Sequence, residues 1–308
     1  MKRLLTIIIS LAAVASSIHS QVITNMAKEN TKIEKGEKPG SDEDRLSVQP
    51  MDIQLDSTAT YYVMIDSAQA CIKKQDWNGA ENYIRKAIAA EPHNNTNSML
   101  LSNLATLQRY QGKLSEAIKN YTLALDMTPN AVTLLLNRAA VYMQTGDIEA
   151  ATNDFLKVRA LDDKDMESRY SLGMLAVNMH DFDKAEMYFK EMKAANSKSA
   201  LANEGLGMLA KEKGEYAKAA LLLSEAIKSD NNPTLLGHRA DCYLVLKQLN
   251  NAAEDIQNAL EQTPEDGFLY LLRAKLNKLR FNKEDMKRDL ELAVKYGVDK
   301  EVANALKD

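Results

Sequence analysis

The chain has 308 residues but only 2 cysteines, 6 prolines and 1 tryptophan. Cys71 and Cys242 cannot form the disulfide framework on which small exported domains rely, so stability has to come from packed apolar faces. Each reads as a buried small residue rather than as half of a bridge. A surplus of positive charge is missing too: 39 basic residues are interspersed with 43 acidic ones, for a net charge of −4. Without a basic stripe the composition excludes a nucleic-acid partner. Catalytic signatures are absent as well. The sequence has no phosphate loop, nucleophile elbow or zinc motif, and His93, His180 and His238 are scattered singly along the chain. We therefore expect no enzyme activity, no catalytic residues, no metal and no cofactor.

Long hydrophobic runs are also lacking. The exception is Leu4–Ala15, which follows Lys2 and Arg3 and precedes Ser16, Ser17 and Ser20. That run is too short to span a bilayer and has the layout of a secretory signal, so residues 1–20 are expected to direct export. No transmembrane segment is expected after signal removal. Residues 21–56 are polar and free of aromatics, with Pro39, Gly40 and Pro50 as breakers, and are expected to form a flexible linker. Residues 57–308 then form the folded part.

What is abundant is a repeat. Ala80, Ala117, Ala151, Ala185, Ala219 and Ala252 recur about every 34 positions. Seven residues after each stands Ala87, Ala124, Val158, Met192, Ala226 or Ala259, and twelve before each stands Ala68, Ala105, Ala139, Gly173, Gly207 or Ala240. Spaced small residues let two antiparallel helices approach closely, so each unit is a helical hairpin. Units begin near Tyr61, Ser98, Val132, Met166, Ala200, Pro233 and Gly267. Trp77, Leu114, Ile148, Phe182, Tyr216 and Leu249 stand just before second helices, Pro92, Pro129 and Pro264 close them, and Gly112, Gly146 and Gly214 fill turns inside hairpins.

These marks resemble the tetratricopeptide repeat over about four-fifths of the chain. The resemblance implies an all-α fold, a right-handed α-solenoid of about seven helix hairpins. The seventh hairpin departs from the pattern, with Lys283 and Met286 at the aromatic and small positions. After Gly297, Asp299 is expected to cap a short final helix running to about Leu306, with Val302, Ala303 and Leu306 on one face as a lid.

Arginine and aspartate appear and vanish together across the repeats. Arg138, Arg239 and Arg273 on first helices are each followed sixteen residues later by Asp154, Asp255 or Asp289, while the other four hairpins have neither. A charge-assisted contact within each hairpin is expected.

The resemblance further implies that first helices line a concave groove that holds a partner's peptide or helix. By helical spacing the inward faces carry Ser102, Asn103, Thr106 and Arg109, then Leu136, Asn137, Ala140 and Met143, then Tyr170, Met174 and Val177. Glu204, Met208 and Lys211 follow, and then His238, Asp241 and Leu244. The expected binding set is Asn103, Thr106, Arg109, Leu136, Asn137, Met143, Tyr170, Met174, Val177 and Met208. Its asparagines suit a peptide backbone, and its methionines suit large partner side chains. The basic positions with which relatives grip a chaperone's C-terminal carboxylate read Ile65, Thr133 and Asn137 here, so that role is not expected. The sequence thus points to a non-enzymatic binding scaffold for a protein or peptide, exported to the periplasm or surface of a bacterium. The alternative is a structural protein that assembles with its own copies, a homodimer being the simplest case.

Overall fold

The computed structural model describes residues 57–306. The expected signal at 1–20 and linker at 21–56 lie outside them. Among the described residues every regular element is a helix, and the chain divides into two compact units after Leu161. The first unit pairs α1 (Ser57–Lys73) with α2 (Trp77–Ala90), α3 (Asn97–Tyr110) with α4 (Leu114–Met127), and α5 (Val132–Thr145) with α6 (Ile148–Leu161). The second pairs α7 (Met166–Asn178) with α8 (Phe182–Ala195), α9 (Ala200–Glu212) with α10 (Tyr216–Ile227), α11 (Pro233–Val245) with α12 (Leu249–Gln262), and α13 (Gly267–Leu279) with α14 (Lys283–Lys295). A short α15 (Lys300–Asn304) ends it.

Five expected hairpin starts, from Val132 to Gly267, are the first residues of their helices. Ser98 is the second residue of α3, and Tyr61 lies inside α1, which starts at Ser57. The residues expected just before second helices are instead the first residues of those helices, from Trp77 to Leu249.

The small residues are buried because helices cross there. Ala80, Ala117, Ala151, Ala185, Ala219 and Ala252 are all fully buried. Large side chains from second helices fill the space that small residues leave on first helices. The Phe189 ring lies against Gly173 on α7 and Gly205 on α9, where an added Cβ would come within 2.4 Å and 2.3 Å of Phe189 Cε1. Phe189 thereby ties the fourth hairpin to the fifth, within the second unit.

Gly112, Gly146 and Gly214 turn their hairpins at φ of 74°, 79° and 77°. In the other hairpins the same left-handed position falls to Gln75, His180, Lys247 and Phe281, at φ of 59°, 58°, 57° and 59°. A side chain there costs roughly 1–2 kcal/mol, so four of the seven turns are held by the packing of their helices rather than by local preference. Side-chain caps start many of the helices: Asp76 accepts from Gly79 N–H, Asp165 from Ser168, and Ser199 from Ala202.

At the C-terminal end Gly297 has φ 98°, and Asp299 caps α15 through Glu301 N–H at 2.7 Å. Ala303 is buried with Ala274, Met286 and Leu290, and Leu306 packs beside them. Val302 is 44% exposed, which corrects its expected place on the covering face. Because α15 is barely more than one turn long, its apolar stripe is narrow, and residue 302 falls outside it.

Candidate functional site

The three arginine–aspartate contacts form as expected. Arg138 donates from Nε and Nη2 to Asp154 at 2.8 and 2.7 Å, and Arg239 donates in the same way to Asp255 at 2.8 and 2.6 Å. Arg273 reaches Asp289 with a shortest contact of 2.6 Å. Arg138 and Arg239 also donate from Nη1 to Thr122 and Ser224 on the preceding second helices, so each fork fastens a hairpin to its neighbour. All three carboxylates are buried. The hydrogen bonds that Arg239 donates to Asp255 are the main influence raising its pKa. These charges are committed to packing and are not offered to a ligand.

In the first unit the face of α3 and α5 expected to point inward is partly accessible. Asn103, Thr106, Arg109, Leu136, Asn137 and Met143 are all half-buried. Their hydrogen bonding divides them. The Thr106 hydroxyl is tied to Ser102 O at 2.9 Å and to the Tyr121 hydroxyl at 2.8 Å. Burial foremost pushes the Tyr121 phenol up to about 12, so it stays a neutral donor or acceptor. Arg109 Nε lies 3.3 Å from the Gln144 side-chain amide on α5, and Leu136 packs on the core that contains Leu135 and Tyr121. The amides of Asn103 and Asn137 make no hydrogen bond among the described residues. They occupy equivalent places on consecutive first helices, one repeat apart, and each offers both a donor and an acceptor.

A polar network that the repeat pattern did not reveal lies nearby. Glu81 on α2 accepts from Arg85, Gln108 and Lys113 at 2.8, 3.0 and 2.9 Å, and Asn120 donates to Gln108 at 2.7 Å. Burial alone would raise the Glu81 pKa, but the hydrogen bonds outweigh it and hold the carboxyl at about 2. Gln108 and Glu81 sit 27 residues apart, at different places in their repeats, so the 34-residue period carries no trace of the contact.

In the second unit the expectation needs correcting. Tyr170, Met174, Val177 and Met208 are 2%, 1%, 3% and 7% exposed, so they are core rather than an open binding face. The signal was in the sequence: Ser171–Val177 is small or apolar at every position, and a helix apolar all round is a buried one. The Tyr170 ring packs tilted against Phe189, with centroids 6.1 Å apart, and its hydroxyl donates to Glu204 at 2.8 Å. Burial raises the Glu204 carboxyl to about 7, against the lowering influence of the hydrogen bond from Tyr170.

The accessible polar residues of this unit lie farther along. Lys211 on α9 and Lys275 on α13 each donate to Asp241 on α11, at 2.8 and 3.1 Å. Burial would raise the Asp241 carboxyl, but the two ammonium charges hold it at about 2. His238, one turn before Asp241, is buried with neither ring nitrogen hydrogen-bonded. Its ring lies 5.9 Å from Phe268, and burial, reinforced by the charge of Lys211, pushes its pKa down to about 3.

A family profile described as the tetratricopeptide repeat protein 21 C-terminal ARM domain matches residues 79–267. A tetratricopeptide repeat protein from Parabacteroides merdae ATCC 43184 is 31% identical, with a TM-score of 0.70 over 80% of this chain and 97% of its own. Yeast Tom70, 18% identical with a TM-score of 0.61, is similar over 83% of this chain and 55% of its own. PilW, a type IV pilus biogenesis factor, is 18% identical with a TM-score of 0.58, over 68% of this chain and 98% of its own. At these lower identities the likeness concerns the fold alone. No curated protein matches the sequence.

Proposed function

Since the chain belongs to the tetratricopeptide-repeat family, we propose that it is a non-enzymatic scaffold that holds a peptide or helix of a partner protein against α3 and α5. The observation that carries this reading is the pair of uncommitted amides, Asn103 and Asn137, half-buried on consecutive first helices. An amide with no hydrogen bond among the described residues keeps its donor and its acceptor for a partner's backbone. Arg109, Leu136 and Met143 flank the pair with one charge and two adaptable apolar groups. A rigid repeat array that presents them preformed confines the ordering cost of binding to the partner's side.

The compartment follows from sequence features. Residues 1–20 act in this reading as an export signal, 21–56 as a tether, and 57–308 as the binding array. The protein then works in the periplasm or at the surface of a bacterium.

The test is affinity capture from a native envelope fraction with residues 57–308, beside the same chain carrying Asn103→Ala and Asn137→Ala. The proposal expects a partner retained by the first and lost by the second, with equal thermal midpoints for both. Recovery of only its own copies by both chains would replace the scaffold with self-assembly, and unfolding of the variant would return both amides to the core.

A further inference from the structure

The turns of the sixth and seventh hairpins carry an apolar point that the fold does not use. Phe281 is 91% exposed, more than any other large apolar side chain among the described residues. It also holds the left-handed turn position, at φ 59°. A bulky side chain is disfavoured in that conformation, and one that stays in water gains no packing to offset it. At the same position the other hairpins place Gly112, Gly146, Gly214, Gln75, His180 or Lys247, which have no side chain or a polar one. A strained residue that the fold does not need points to a role outside the fold.

Two more apolar side chains lie on the same edge. Val245 ends α11 and Leu279 ends α13 at equivalent places in consecutive hairpins, and they are 52% and 40% exposed. Arg280 fastens the two turns together, donating from Nη2 to Leu249 O at 3.2 Å and to Asn250 Oδ1 at 3.3 Å. The surroundings are basic. Residues 245–251 and 279–283 include Lys247, Arg280 and Lys283 but no acidic residue. Lys247 and Lys283 are exposed, without an ion pair among the described residues, and the acceptors of Arg280 are uncharged. Glu284 and Asp285, which follow, are paired with Lys287 and Arg288. The edge thus joins three exposed apolar side chains to three cations that no carboxylate of the two turns neutralises.

We infer that this edge docks on an anionic lipid surface, with the Phe281 ring entering the bilayer interface and Lys247, Arg280 and Lys283 lying among the headgroup phosphates. The inference goes beyond the scaffold reading and does not depend on it. Charge and shape select the occupant. A negatively charged leaflet attracts each cation that comes near it. Lipid rearranges around a projecting ring, whereas a folded protein could receive the ring only in a pocket already shaped for it. A second copy meeting the same patch about a two-fold axis would bring three cations against three. Val245 and Leu279, set back from Phe281, bury less and limit how deeply the edge enters.

The test uses the full-length chain with Trp77→Phe, which removes its one tryptophan, and a single new tryptophan from Phe281→Trp. The control is Leu221→Trp in the same background, on α10 of the same unit, where Leu221 is 70% exposed. Vesicles contain brominated phosphatidylcholine, which quenches tryptophan on contact, either alone or mixed equally with phosphatidylglycerol. Fluorescence at position 281 is expected to shift to the blue and be quenched by the anionic vesicles, with little effect of the neutral ones and none at position 221. Adding Lys247→Gln and Lys283→Gln is expected to raise the lipid concentration for half-quenching about 25-fold, about fivefold for each charge. In the otherwise native chain Phe281→Gly relaxes the turn and is expected to raise the thermal midpoint by about 2–4 °C. No quenching at 281, equal quenching at 281 and 221, or quenching indifferent to lipid charge and to both lysines overturns the inference. A lower midpoint for Phe281→Gly also overturns it, since the ring would then belong to the fold. A dimer that Phe281→Gly dissociates, without quenching at 281, would give the edge to a second copy instead. Residues 1–20 are common to every chain compared, so membrane contact of their own leaves the difference between positions 281 and 221 intact. The variants leave Asn103 and Asn137 untouched, so the outcome is independent of the scaffold test.

Discussion

Removing the Arg239–Asp255 contact offers the sharpest energetic test of how the hairpins are held. The two-pronged fork at 2.8 and 2.6 Å joins α11 to α12, and Nη1 extends to Ser224 on α10 at 2.9 Å. The Asp255 side chain is only 4% exposed, against 18% for Arg239. Arg239→Leu strands a buried carboxylate and is expected to cost about 3–5 kcal/mol. Asp255→Leu costs less, about 2–3 kcal/mol, because the longer arginine can turn toward water. With both replaced no charge is stranded, so the double variant is expected to lose only about 0–2 kcal/mol, which gives a coupling of at least about 3 kcal/mol. The control is Lys218–Glu215, whose side chains are 65% and 43% exposed, and its coupling is expected to stay below about 1 kcal/mol. Urea unfolding of the four chains in each cycle measures both numbers, provided the slopes agree. Additivity at Arg239 and Asp255 within about 0.5 kcal/mol, or equal coupling in the two cycles, would refute the claim that burial makes this pair different.

Two further outcomes follow from the packing. Glu204 has a folded pKa of about 7 against an ordinary 4.5, so it weakens the fold as pH rises. The penalty is absent below about pH 4.5, grows through the interval, and levels off above 7 at no more than about 3 kcal/mol. Glu204→Gln keeps an acceptor for the Tyr170 hydroxyl and is expected to raise the urea midpoint at pH 8 but not at pH 4; an equal gain at both would remove the titration from the account. Gly205→Ala is expected to lose about 1–2 kcal/mol despite alanine's better helix propensity, because its Cβ would stand 2.3 Å from the Phe189 ring. A rise in thermal midpoint would show that Phe189 moves aside freely.

The sequence carried the fold in the places where one residue type meets one steric need. A crossing of two helices demands a small residue, so the alanines at 80, 117, 151, 185, 219 and 252 marked the hairpins nearly to the residue. Arginine and aspartate marked their contact because both side chains must be present for either to be buried. Other features left weaker traces. A left-handed turn is legible at Gly112, Gly146 and Gly214, but Gln75, His180, Lys247 and Phe281 adopt the same conformation without announcing it. Helical spacing placed Tyr170, Met174, Val177 and Met208 on an open face, yet all four are buried. Periodicity names the direction in which a side chain points; it does not tell how much protein stands there. Spacing assigned Asn103, Asn137, Lys211 and Asp241 to inward faces but was silent on Lys275, and only the hydrogen-bond geometry separated Asn103 and Asn137, without a bond among the described residues, from the committed Thr106.

The most direct test of the scaffold reading is site-specific photo-crosslinking in the native envelope. A photoreactive side chain replaces Met143, half-buried on α5, the helix that carries Asn137, or Leu123, which is 50% exposed on the second helix α4. The account predicts a crosslink from position 143 to a different protein, lost when Asn103→Ala and Asn137→Ala are added, and none from position 123. Crosslinks to that protein from 123 alone, or from 143 only to another copy of this chain, would contradict it.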